Sequence, residues 1–256
     1  MSVLTVETPA APVSGFGHRV ATIVRLNTAN PWTTIILPWI IVGIIFVVNW
    51  LIWWIIFTAS GAQSVSAVAS GIQYSGASLW IFFYMLVVAV QAINLTFPLA
   101  LGYGATRRDF WVGTALTFVL LSLGYTVALS ALSVVEELTG GWGLGGTMFT
   151  NIYFGESWYE RVFSYFTLMM FFFFVGAAEA TVYVRWKANG IVTFFAALAA
   201  ILIVVVAAIT FTESWPAVGA FLGRAGLMGV YAWSYVLTVI AAIVGYLVLR
   251  RATPRS

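Results

Sequence analysis

Residues 33–57 read TTIILPWIIVGIIFVVNWLIWWIIF, a run with no formal charge. It belongs to a longer silence: from residue 26 to residue 106, 81 consecutive positions, there is no Asp, Glu, Lys or Arg. The silence ends at Thr106-Arg107-Arg108-Asp109-Phe110, and a second apolar run starts at once. Soluble domains carry about 25% charged residues, whereas this chain of 256 carries 7%, is 62% hydrophobic and has a mean hydropathy of +1.02. Lipid, not water, is the solvent these runs require.

A membrane-crossing helix needs about 20 apolar residues. Six such spans are expected, over about 33–57, 78–101, 110–135, 162–184, 191–211 and 226–249. The runs are continuously apolar with no alternation, which favours helices over barrel strands. The expected fold class is therefore all-α and polytopic, in one domain, because no soluble segment of domain size separates the spans.

Charge sets the orientation. His18, Arg19, Arg25, Arg107, Arg108, Arg185, Lys187, Arg250, Arg251 and Arg255 fall on one side of a six-span arrangement, and only Arg161 and Arg224 on the other. The positive-inside rule makes the first side cytoplasmic, with both termini in the cytoplasm. Glu136, Glu137, Glu156, Glu160 and Glu213 fall outside. Outer connections are expected at 59–77, rich in Ser, Ala and Gly, and at 136–161, which holds the Gly140–Gly146 run. The net charge of +3 and pI near 9.3 follow from this anchoring and do not indicate nucleic acid. The first 30 residues lack a signal-peptide core, so the first span is expected to act as an uncleaved anchor. Phe16 to Asn30 places Phe16, Val20, Ile23 and Val24 on one face and His18, Thr22 and Arg25 on another, the pattern of a helix lying flat in the interface.

Several chemistries are excluded by composition. The chain has no Cys and one His, so thiolate, Fe–S and multi-His metal sites are impossible. Its single Lys, Lys187, does not stand in a phosphate-binding loop of the Gly-x-x-x-x-Gly-Lys-Ser/Thr type, so no such nucleotide site exists here.

The corner between the second and third spans is the most specific feature. Gly102 and Gly104 loosen the end of one helix, and Thr106 with Asp109 three residues on reads as a capping box opening the next. Phe97-Pro98-Leu99-Ala100-Leu101-Gly102, followed by Ala105-Thr106-Arg107-Arg108-Asp109-Phe110 and Gly113-Thr114, resembles the inner corner of permease subunits of bacterial ABC-2-type exporters. That resemblance implies a type V exporter-like transmembrane domain in the bacterial plasma membrane. It implies that residues 102–110 couple to a separate ATPase subunit, in two copies, through Thr106, Arg107, Arg108, Asp109 and Phe110. ATP and Mg would belong to that partner and no cofactor to this chain. A second permease copy or a sibling would complete the pathway. In the same family a re-entrant element lies between the last two spans; Pro216 opening a short helix and Gly223 ending it suits this, and a plain outer loop is the other reading.

Within the spans, Glu179 is the one formal charge well inside, in Gly176-Ala177-Ala178-Glu179-Ala180-Thr181. A lipid-facing carboxylate at depth costs at least ~2.5 kcal/mol, so it should face a helix interface or a cavity. It reads either as a gate or substrate contact, or as a structural group near the inner interface. Asn49, and Gln91 with Asn94 on one face of the second span, are path-lining candidates, with interhelical hydrogen bonding as the plainer role. Trp50, Trp53, Trp54 and Phe171–Phe174 read mostly as lipid-facing or belt residues. An ion-coupled secondary carrier using Glu179 is the alternative function. An intramembrane enzyme is disfavoured: Glu136-Glu137 is similar to the paired glutamates of membrane prenyl-protein proteases, but those also need histidines within their spans.

Overall fold

The computed structural model of the chain describes residues 15–59 and 76–251. Residues 1–14, most of the Ser/Ala/Gly-rich connection (60–75) and Arg255 lie outside that range. The described residues are helical with no strand among them, and five helices are long and apolar enough to cross a membrane. The chain is an all-α, multi-pass membrane protein.

Helix α1 (Phe16–Asn27) buries Val20 and Ile23 and leaves Phe16 exposed, so its apolar face is narrower than the periodicity suggested. It docks on α4 (Arg107–Leu138). Gly113 makes this approach possible, because a Cβ there would stand 2.5 Å from the Ile23 Cβ. Asn27 then ties three elements together. Its amide donates to Thr114 Oγ1 at 3.1 Å, and its carbonyl oxygen accepts from Thr96 of α3 (Trp80–Gly102) at 2.8 Å.

The first apolar helix begins with a π turn, Trp32–Ile36, and continues as α2 (Leu37–Ala59). The cause is local. The Leu37 N–H bonds back five residues to the Trp32 carbonyl. Pro38 has no N–H, so neither the π partner of Thr33 nor the α partner of Thr34 exists. Two tyrosines replace it: Tyr84 Oη donates to the Thr33 carbonyl at 2.8 Å, and Tyr125 Oη to the Thr34 carbonyl at 2.7 Å. A backbone defect that lipid would penalise is thus satisfied by the neighbouring helices.

Helix α5 (Trp158–Phe211) is 54 residues long. Straight, it would reach about 81 Å, far more than a bilayer. It is broken at Lys187, where φ is 59° and ψ is −150°. A Cβ on Gly190 would lie 3.4 Å from the Val182 side chain, whereas on an unbroken helix eight residues separate the two by about 12 Å along the axis. The chain therefore turns back at one residue, with the start of the arm 188–211 beside the end of the arm 158–186, where a six-residue connection was expected. Helix α6 (Trp215–Arg251) is broken in the same way at Gly226, not at Gly223. Pro216 stands at its second position, and 215–225 forms a short helical piece ahead of the long one.

The core lies between α3, α4 and the first arm of α5. Phe118 stacks on Phe173 at 4.8 Å and meets Phe174 edge-on at 5.6 Å. Phe173 and Phe174 are buried, so this aromatic run faces protein where lipid was expected. Gly176 lets α5 close on α3, since a Cβ would meet the Leu86 carbonyl at 2.5 Å. Trp53 is likewise buried, against Gly146; Trp50 donates to the Trp142 carbonyl at 3.4 Å, and only Trp54 of the three is largely exposed.

Candidate functional site

Two regions carry polar groups in an arrangement that burial alone does not explain. They are the corner between α3 and α4, with the helix ends gathered around it, and a cleft between α3 and the hairpin of α5.

The corner is built in layers. Tyr103 and Gly104 leave α3, with Gly104 at φ 79°, and Thr106 in extended geometry caps α4 by accepting from the Asp109 N–H at 3.1 Å. Only half of the anticipated capping box forms. The Asp109 carboxylate turns away from the cap and accepts from Arg19 Nε of α1 at 2.7 Å. Asp109 and Phe110 are buried, Phe110 against Phe97 at 5.1 Å. They brace the corner from within and present no surface. Tyr103, Thr106 and Arg108 are exposed, and Arg108 lies over the Phe16 ring at 5.8 Å. Arg107 Nη1 donates to the Arg250 carbonyl at 2.6 Å, joining the corner to the end of α6. The corner, α1, the Lys187 hairpin and the C-terminal end of α6 thus meet at one end of the bundle.

The cleft, of about 400 Å³, is lined by Val90 and Asn94 of α3 and by Glu179, Tyr183, Ala188, Ile191 and others of α5. It unites two of the path candidates, Asn94 and Glu179. Asn94 Oδ1 is buried without a hydrogen-bond partner among the described residues. Glu179 has no ion pair among the described residues. Gln91, one turn along α3, is exposed and does not line the cleft. Asn49 is on α2, apart from it, with Nδ2 donating to the Ile45 carbonyl at 2.8 Å.

At the opposite end from the corner, a polar centre that the sequence did not signal organises the connection 139–157. Glu136 is 1% exposed. Its carboxylate accepts from the backbone N–H groups of Met148, Phe149 and Thr150, at 2.8–3.1 Å, and from Trp142 Nε1 at 2.7 Å. Its neighbour Glu137 pairs with buried Arg161, whose guanidinium also donates to the Gly155 and Glu156 carbonyls. Tyr165 Oη reaches the Phe149 carbonyl and Tyr231 Oη of α6 the Tyr153 carbonyl. The run of glycines supplies the turns: Gly140, Gly141, Gly143 and Gly145 all have positive φ. The connection is a folded cap. Its only sequence trace was two adjacent acids ahead of a glycine-rich run.

Comparison with family models, with curated proteins and with solved structures finds no match to this chain.

Proposed function

We propose that the chain is the membrane-spanning permease subunit of an ATP-driven exporter of the ABC-2 type. In this reading the five apolar helices make six spans, because the arms of α5 each cross once, and both termini lie in the cytoplasm of a bacterial cell. Two permease copies, or this chain and a sibling, enclose the path, and a separate ATPase subunit supplies ATP hydrolysis. The carrying observation is the corner: a capped helix start, fastened to the interfacial helix through Arg19–Asp109, with Tyr103, Thr106 and Arg108 on its outside. Such an element moves α1 and α4 together when pushed. Of the five expected coupling residues, burial leaves Thr106, Arg108 and part of Arg107 on the contact surface, beside exposed Tyr103, with Asp109 and Phe110 transmitting the push.

Arg108 is the better probe, because Arg107 also serves the end of α6. Arg108→Glu should reduce copurification of the ATPase at least tenfold while the permease remains folded. Unchanged copurification, with ATP turnover still responding to the permease, sinks the reading.

The second reading is an ion-coupled carrier, favoured by Glu179 sharing a cleft with Asn94 and lacking a cationic partner among the described residues. It requires that Glu179→Gln abolish transport driven by a proton gradient in vesicles free of ATP.

A further inference from the structure

We propose that the end of the bundle near the Lys187 hairpin holds an anionic phospholipid, with its headgroup phosphate among Arg185, Arg250 and Arg251 and an acyl chain along Val244, Leu247 and Val248. These six residues line one cleft of about 270 Å³ between α5 and the last turns of α6. That space is just below the range of small-molecule pockets, so it admits a headgroup and the first carbons of one acyl chain, with the remainder of the chains outside, against the bundle.

Charge balance is the first argument. The carbonyl end of α6 attracts cations, but that end is worth only about half an elementary charge. Arg107 already donates to the Arg250 carbonyl there. Three further guanidinium groups exceed what the helix end requires. No acid among the described residues offsets them: the ion pairs there are Arg19–Asp109 and Arg161–Glu137, and neither involves these arginines. Arg185 lies 4.5 Å over the Trp186 ring, which holds its guanidinium near the interface.

The wall is the second argument. Val244 and Leu247 are substantially exposed beside the arginines and give the cleft an apolar side. A free phosphate would use the charges and leave that side bare, whereas a phospholipid uses both. Basic pockets between membrane helices recognise lipid headgroups through this combination. An occupied site would clamp α5 to α6 and, through Arg107, steady the corner.

The test uses the full chain purified in detergent and incubated with equal amounts of dioleoyl phosphatidylglycerol and dioleoyl phosphatidylcholine, with retained lipid counted by native mass spectrometry. The unmodified protein should prefer phosphatidylglycerol. Arg185→Gln/Arg250→Gln/Arg251→Gln should lower that preference on the order of a hundredfold, at roughly fivefold per arginine. Val244→Trp/Leu247→Trp, which fills the apolar side and keeps every charge, should also release the lipid; this variant keeps the test decisive should the triple variant fail to fold. Arg224→Gln, which removes an exposed arginine that does not line the cleft, should change nothing. The proposal is overturned by an unchanged preference in the triple variant or in the tryptophan variant, by an equal loss in the remote control, or by displacement of the lipid by equimolar inorganic phosphate.

Discussion

At the residue scale, the buried carboxylate of Glu136 is the group on which most depends. It accepts from three consecutive backbone donors and an indole, and the Met148 and Phe149 donors are buried away from water. An unsatisfied buried donor costs about 1–3 kcal/mol. Glu136→Ala should therefore destabilise the protein by several kcal/mol, beyond ~3, and unfold the cap, which thermal melting in detergent and protease sensitivity at 139–157 would report. Glu137→Ala should cost less, because Glu137 is half exposed, although it leaves Arg161 without its carboxylate. Tyr125 poses a smaller version of the same problem. Tyr125→Phe removes the donor to the Thr34 carbonyl that Pro38 cannot supply, and a membrane hydrogen bond of this kind averages about 0.6 kcal/mol with a maximum near 1.7. A loss in that range, enlarged when Tyr84→Phe is added, is the expected result of unfolding in a denaturing detergent.

At the element scale, the hairpin of α5 turns on one strained residue. Lys187 occupies a backbone region that is essentially reserved for glycine, at a cost of about 1–3 kcal/mol. Lys187→Gly should raise the melting temperature and Lys187→Val should lower it; the opposite order would mean that the arms are not held in this turn. The docking of α1 depends on the absence of a side chain at Gly113. Gly113→Leu should push α1 off α4, break the Arg19–Asp109 contact and expose the α1 segment to added protease, with the remainder of the bundle intact. Both features were partly legible. The helix Phe16–Asn27 followed from the periodicity of Val20 and Ile23, and a break between the fourth and fifth expected spans from Arg185 and Lys187. The single-residue turn was not, because no rule of composition favours a lysine at positive φ. The π turn at Trp32–Ile36 was written in the sequence as Pro38, but its tolerance depended on tyrosines 51 and 91 positions away.

At the scale of the whole molecule, the buried charged groups Asp109, Glu136 and Arg161 lie toward the two ends of an apolar bundle, and exposed apolar side chains cover its flanks. The second arm of α5 exposes nearly every side chain from 191 to 211, as a lipid-facing or subunit-facing helix must. The sequence by itself determined the solvent: an uncharged run of 81 residues cannot be kept in water, and helices are the only way such runs satisfy their backbone in lipid. It also determined where the chain must emerge, because charges in hydrocarbon are costly enough to fix the corner at Arg107-Arg108 and the hairpin at Arg185–Lys187. Tertiary structure alone decided what those charges and carboxylates touch. Arg19 and Asp109 stand 90 positions apart, Glu136 is satisfied by a loop that must fold around it, and Asn94 shares a cleft with Glu179 only because α3 lies against α5. Hydropathy is a property of each segment and can be summed along the chain; a hydrogen bond between helices depends on their rotation and depth, which small residues such as Gly113 and Gly176 set through packing.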